Sequence, residues 1–130
     1  MIASRTRTAL IAAAIVTLPA AAWADGHSEI VNAAAHAGLA AQASDVGGVH
    51  THLHHALNCL VGPGGEGFDS TQMNPCAQAG SGAIADASND TVKLTLKKAA
   101  DKAREGIATA DLTQAKADAA TVKEILDAAK

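Results

Sequence analysis

The apolar residues between positions 46 and 61 recur at steps of three and four along the chain, beginning with Val46, Val49 and Leu53. This spacing matches the 3.6-residue turn of an α-helix and predicts an amphipathic helix. Residues 29–43 just before it are rich in alanine and contain few large apolar side chains. A first helix is therefore expected there, joined to the second around Ser44 and Asp45.

Two further helices are predicted in the second half of the chain. Asn89 or Asp90 can cap the first of them, and its apolar positions again follow the helical period. The last helix opens at Asp111, with Gln114 placed three residues later to complete a capping box. The turn between these two helices is only a few residues long, which predicts an antiparallel αα-hairpin.

Together the four helices predict an all-α protein, an antiparallel up-down four-helix bundle built from two αα-hairpins at residues 29–61 and 89–130. A long loop at residues 62–88, rich in glycine and other turn-forming residues, connects the hairpins. Residues 25–130 are thus expected to form a single four-helix domain.

The first 24 residues have the pattern of a secretory signal peptide. Arg5 and Arg7 precede an apolar run at residues 9–18, and the segment ends in the small-x-small sequence Ala22-Trp23-Ala24. The apolar run is shorter than the ~20 residues that a membrane-spanning helix needs. We therefore expect cleavage after Ala24, export to a bacterial periplasm, and no stable membrane association of the mature chain.

Composition and charge narrow the function classes. Beyond the expected signal peptide the chain holds one residue of the Phe, Tyr and Trp class, Phe68, and eight lysines and arginines against thirteen acidic residues, a formal charge of −5. The chain therefore lacks the aromatic side chains on which bases stack and the positive charge that binds nucleic acid. Its negative charge also disfavours binding to anionic lipid. The sequence has no catalytic triad, phosphate-binding loop, zinc-hydrolase motif or covalent haem motif, so we expect a protein that is not an enzyme.

Cys59 and Cys76 are the only cysteines. In an oxidising compartment an even number of cysteines predicts a disulfide, which would tie the glycine-rich loop to the end of the second helix. In the alternative both thiols stay reduced, with Met73 and His52 or His55 beside them, as a soft site suited to Cu(I).

A run of imidazoles occupies the second helix, at His50, His52, His54 and His55. Neutral imidazole is a common ligand of Cu, Ni and Zn, so a dense histidine tract indicates a metal site. Helical spacing makes His50 and His54 one candidate pair and His52 and His55 another, and each pair needs further ligands from elsewhere. On the helical wheel His55 points outward, towards solvent. The alternative interpretation is a solvated, pH-responsive polar face.

Cleavage after Ala24 would create a second candidate site at the new amino terminus, Asp25-Gly26-His27. A free amine, two ionisable amides and a third-position imidazole supply four nitrogens for a square-planar Cu(II) or Ni(II) ion. The alternative is a terminus that carries its histidine by chance. Glu66 and Asp69 in the loop are candidate oxygen ligands, although single acids in such loops are usually solvated.

Short alanine-rich helical hairpins with histidines spaced along one helix, as in His36-Ala37-Gly38-Leu39 and residues 50–57, resemble the small histidine-rich periplasmic metal-binding four-helix proteins. The resemblance implies a four-helix fold and the scavenging or buffering of Cu, Ni and similar ions. It also implies His36 as a ligand from the first helix, opposite the middle of the second. The last two helices carry no histidine, unlike that pattern, so one or two localised sites are expected.

These features predict a periplasmic metal-binding protein that sequesters, buffers or delivers ions through the imidazoles of the second helix. Copper is the first candidate, with nickel or zinc as alternatives. The alternative function is a metal-independent periplasmic stress or adaptor protein with a pH-sensitive, histidine-rich interface. The sequence indicates neither a metal-transfer partner nor an oligomeric state.

Overall fold

The computed structural model describes residues 26–130 and is all-helical over this range. Its elements are five helices: α1 (His27–Gln42), α2 (Val46–Val61), α3 (Ala83–Asp86), α4 (Asp90–Ala108) and α5 (Leu112–Asp127). The described residues contain no strand, which confirms the predicted all-α class for this part of the chain. The predicted signal peptide at residues 1–24 and the residue after it, Asp25, lie outside the described range.

Local capping determines where the long helices begin. Asp45 before α2 and Asn89 before α4 each accept a hydrogen bond from the backbone N–H three residues later, at 2.8 and 3.0 Å. This pairing satisfies one of the N–H groups that a helix start leaves open. α1 follows Gly26, whose φ of 72° lies in the left-handed region that glycine adopts without strain.

The start of α5 forms half of the predicted capping box. Asp111 accepts from the backbone N–H of Gln114 at 2.7 Å, as expected. The Gln114 amide, however, donates to Asp118 at 3.0 Å rather than reaching back to the cap. Asp118 is nearly buried and also lies 3.6 Å from Lys102 of α4, so its carboxylate attracts both donors.

Most of the core lies around α2, which contacts α1, α4 and α5. α5 in turn packs against α1 and α4. Leucines such as Leu53, Leu60 and Leu96 are fully buried at the centre, and most of the remaining core residues are alanines. Small side chains let neighbouring helices approach closely, which brings the side chains of α1 near those of α2.

The chain between α2 and α4 contains a short helix, α3, that the periodicity does not predict. A helix of four residues is too short to show an apolar repeat. Cys59 and Cys76 form the predicted disulfide, with their Cα atoms 5.1 Å apart. This bond excludes the alternative of two reduced thiols. Met73, the soft ligand of that alternative, is 55% exposed.

A buried amide holds the irregular segment after α2 in place. Asn58, fully buried on α2, accepts from the backbone N–H of Asp69 and donates to the Asp69 carbonyl, both at 2.9 Å. Its Nδ2 group also donates to the Met73 carbonyl at 3.2 Å. One side chain therefore supplies hydrogen bonds to a stretch of backbone that has no helix of its own.

The disulfide indicates an oxidising compartment, where such bonds form and persist. Across residues 26–130 the longest apolar stretches of helix fall short of what crossing a bilayer requires.

Candidate metal centre

Three histidines from two helices converge on one point of the structure. His52 and His55 project from neighbouring positions of α2, one turn apart, and His36 reaches them from α1. One ligand nitrogen of each residue lies within 4.8 Å of those of the other two. We call this group the His36/His52/His55 triad.

One separation within the triad is close to that in a metal site. The Nδ1 atoms of His36 and His52 are 3.4 Å apart. Two nitrogens that bind one ion tetrahedrally at about 2.0–2.1 Å are separated by about 3.3 Å. The His55 ring stands nearly perpendicular to the other two, at 89° and 87°, with centroids 5.1 and 5.7 Å away. The rings thus surround a common point rather than forming a stack.

Burial gives the triad a distinct environment. His55 is 8% exposed, and its buried Nδ1 has no hydrogen-bond partner among residues 26–130. Buried polar atoms are paired in the great majority of cases, so an unpartnered ring nitrogen inside a histidine group indicates a place for a ligand. The prediction that His55 faces solvent is wrong, because its side chain is buried with the ring of His36 from α1 against it.

Electrostatics favour the neutral, metal-binding form of the imidazoles. Burial lowers the pKa of His36, and positive charge on His55 and His52 lowers it further. Burial likewise lowers the pKa of His55, followed by the effects of His52 and His54. Protons compete with a metal ion for the same nitrogen lone pairs, so a lowered pKa favours metal binding near neutral pH.

The two other histidines of α2 contact residues outside the triad. The Nε2–H of His50 donates to the carbonyl of Thr109, at the end of α4, over 2.8 Å. The Nδ1 of His54 lies 3.7 Å from Asp69 Oδ2, too far for a hydrogen bond, and like that of His55 it has no hydrogen-bond partner among residues 26–130. The structure therefore does not bring the predicted pair His50 and His54 into the triad.

The remaining candidate ligands lie elsewhere. Gly26 and His27 are at the start of α1, and Asp25 is outside the described range, so the amino-terminal site stays a prediction. Asp69 accepts hydrogen bonds from Thr71, and these lower its pKa most. Glu66 is exposed. Neither acid belongs to the triad.

Sequence reasoning identified all three triad residues, but by different means. Helical spacing predicts the pairing of His52 with His55, whereas His36 follows from the resemblance alone. The sequence alone did not show that His50 and His54, which belong to the same run, lie outside the triad. Comparisons of the chain with family models, curated proteins and solved structures gave no match.

Proposed function

We propose that this protein binds a transition-metal ion through the triad, and that it is a binding protein rather than an enzyme. The observation that carries the proposal is the convergence of three imidazole nitrogens within 4.8 Å of one another. The unpartnered nitrogen of His55 and the lowered pKa values of His36 and His55 support it.

Copper is the metal we favour. Divalent ions bind nitrogen ligands in an order of affinity that peaks at Cu²⁺, above Ni²⁺ and Zn²⁺. The only two thiols are joined in a disulfide, so the donors at hand are imidazoles rather than thiolates. Zinc and nickel are the alternatives, because imidazole serves both.

Three protein ligands leave a coordination position open, as in zinc sites that exchange a water or substrate. An open position lets an incoming ligand replace the protein's own, which suits a protein that buffers or delivers ions. The disulfide and the pattern of residues 1–24 support a periplasmic location.

We further propose that α1, α2, α4 and α5 form an antiparallel up-down bundle. Short connections join α1 to α2 and α4 to α5, and the helix contacts follow the sequence α1, α2, α4, α5 and back to α1. This architecture supports a likeness to the histidine-rich periplasmic proteins, with ligands contributed by one hairpin only.

The experiment is a titration of Cu(II), Ni(II) and Zn(II) into metal-free protein that begins at Asp25. A His27→Ala background removes the amino-terminal site from the measurement. We expect one ion per chain and an increase in thermal stability, since a ligand that binds only the folded state stabilises it.

Matched double variants test the ligand assignment in that background. His52→Ala/His55→Ala should abolish stoichiometric binding, whereas His50→Ala/His54→Ala should retain it, although both remove two imidazoles from the same helix. Circular dichroism checks that each variant stays helical. Equal retention in both variants, or no uptake by the starting protein, would overturn the proposal.

A further inference from the structure

A cavity of about 980 Å³ lies on another part of the molecule, between the glycine-rich segment and α4. Its volume is in the range of small-molecule sites, roughly 300–1,000 Å³. The lining includes the apolar side chains of Val61, Ile84 and Ala100. None of the triad residues lines this cavity.

Two lysines of α4, Lys93 and Lys97, line the cavity one helical turn apart. Neither forms an ion pair with a residue in the described part of the chain. Like charges at this spacing repel each other. An anion bound between them would relieve that repulsion.

The third cation of the cavity, Arg104, already has partners. It donates to Asp101 and to the backbone carbonyl of Glu66, both over 2.7 Å. These contacts hold the glycine-rich segment against α4 and form one wall of the cavity. With Asp101 paired to Arg104, the other charges that line the cavity are the two lysines and the Glu66 carboxylate, so one positive charge is left over for a ligand.

Gly64 and Gly65 also line the cavity, although a Cβ atom at Gly65 would lie 2.2 Å from the Val61 carbonyl oxygen, so only Gly64 faces open space. A side chain added at Gly64 would meet nothing within 4 Å, so the backbone there borders open space. Backbone that lacks side chains can approach a ligand closely.

We propose that this cavity binds a small organic carboxylate with an apolar body, its anionic group held by Lys93 and Lys97. The apolar side chains that line the cavity contact the body of the ligand, and the two ammonium groups bind its carboxylate. The formal charge of the chain is negative outside the expected signal peptide, so the protein as a whole does not attract anions. An anion would therefore bind here because of the local positive charge of Lys93 and Lys97.

The test uses metal-free protein and three probes: octanoate, octanamide and inorganic phosphate. Octanamide keeps the chain and loses the charge, whereas phosphate keeps a charge and loses the chain. Binding is followed by amide NMR shifts of Gly64, Gly65, Gly80 and Ser81. We expect octanoate to move these resonances with an affinity at least about tenfold above that of either other probe.

Two matched variants locate the charge. Lys93→Gln/Lys97→Gln should weaken octanoate binding by about tenfold or more. Lys98→Gln/Lys116→Gln removes the same charge from lysines that also lack ion pairs within residues 26–130 but do not line the cavity, and should leave binding unchanged. Equal losses in both variants, equal binding of octanoate and octanamide, or phosphate binding as tight as octanoate would each overturn the proposal.

Discussion

Single residues of the histidine run have separate tasks, although they share one helix. His50 donates to the Thr109 carbonyl, the C-cap of α4, while His52 lies in the triad. The carbonyls at a helix end have no partner within the helix, so a side-chain donor there stabilises the fold. Two imidazoles of one run thus have different surroundings: one closes a helix end and the other lies in the candidate metal triad.

Alanine variants of these two residues should show opposite effects. Without metal, His50→Ala should unfold with a free energy about 1 kcal/mol lower than His52→Ala, because it loses the Thr109 hydrogen bond. Both changes alter helix propensity equally, so the comparison sets the 2.8 Å hydrogen bond to Thr109 against the longer 3.4 Å contact between His52 and His36. With Cu(II), only His52→Ala should lose binding. Urea unfolding measures the difference in stability, and metal titration measures the difference in binding. If the two variants gave the same result in both assays, the assignment would be contradicted.

The lowered pKa values of His36 and His55 predict a pH dependence of the metal-free protein. Above their ordinary value of 6.5 both are neutral, folded or unfolded, and contribute no pH dependence. As the pH falls below that value, the unfolded chain takes up protons more readily than the folded one, so the free energy of unfolding decreases.

Urea midpoints at pH 7.5, 6.5 and 5.5, in the presence of a chelator, measure this effect. The decrease should occur mainly between the lower two values, and His36→Ala/His55→Ala should reduce it. A variant with an unchanged pH profile would show that other groups cause the dependence. Asp69 and Asp127 have lowered pKa values, so their protonation affects stability only at still lower pH.

At the scale of elements, two glycines at helix contacts have different surroundings. A Cβ atom at Gly38 of α1 would lie 3.3 Å from the Cε of Lys123, a half-exposed side chain that can move. At Gly106 of α4 it would lie 2.6 Å from the Cδ1 of Leu53, which is fully buried. The first position accepts a methyl group after a small shift of Lys123, whereas the second does not.

Alanine should therefore stabilise at one glycine and destabilise at the other. Gly38→Ala should gain up to about 1 kcal/mol from helix propensity. Gly106→Ala has the same gain, but overpacking against Leu53 costs about 1–3 kcal/mol and should exceed it. Thermal unfolding of the two variants measures the difference. A stabilised Gly106→Ala would mean that α4 can move away from α2 at little cost.

At the scale of the whole molecule, the disulfide and the Asn58 hydrogen bonds attach the irregular segment to a small, alanine-rich core. A core of this kind buries modest apolar area, so a covalent link contributes a large share of the stability. The triad lies on α1 and α2 and does not include the linked segment.

Replacing both cysteines, as Cys59→Ala/Cys76→Ala, should lower the free energy of unfolding by about 2–4 kcal/mol, because the unfolded chain gains freedom. Copper binding by the folded fraction should persist. Urea unfolding and copper titration of the same preparation test both statements. A helical variant that has lost copper binding would place part of the site in the irregular segment.

Features that depend on spacing along the chain were determined by the sequence alone: the all-α class, the helix at residues 46–61, a cap at Asn89 or Asp90, the cap at Asp111, and the pairing of Cys59 with Cys76. Helical periodicity and capping depend on residues that are close together in the chain, so both can be predicted from a short stretch of sequence. The cysteine pairing followed because no other partner exists.

Only the tertiary structure decided which histidines meet. The wheel of α2 places His55 outward, yet α1 covers it and adds His36, while the end of α4 engages His50 through Thr109. How helices rotate and pack against one another depends on side chains far apart in the chain. Periodicity within one helix cannot specify that choice, and the chemistry proposed here depends on it.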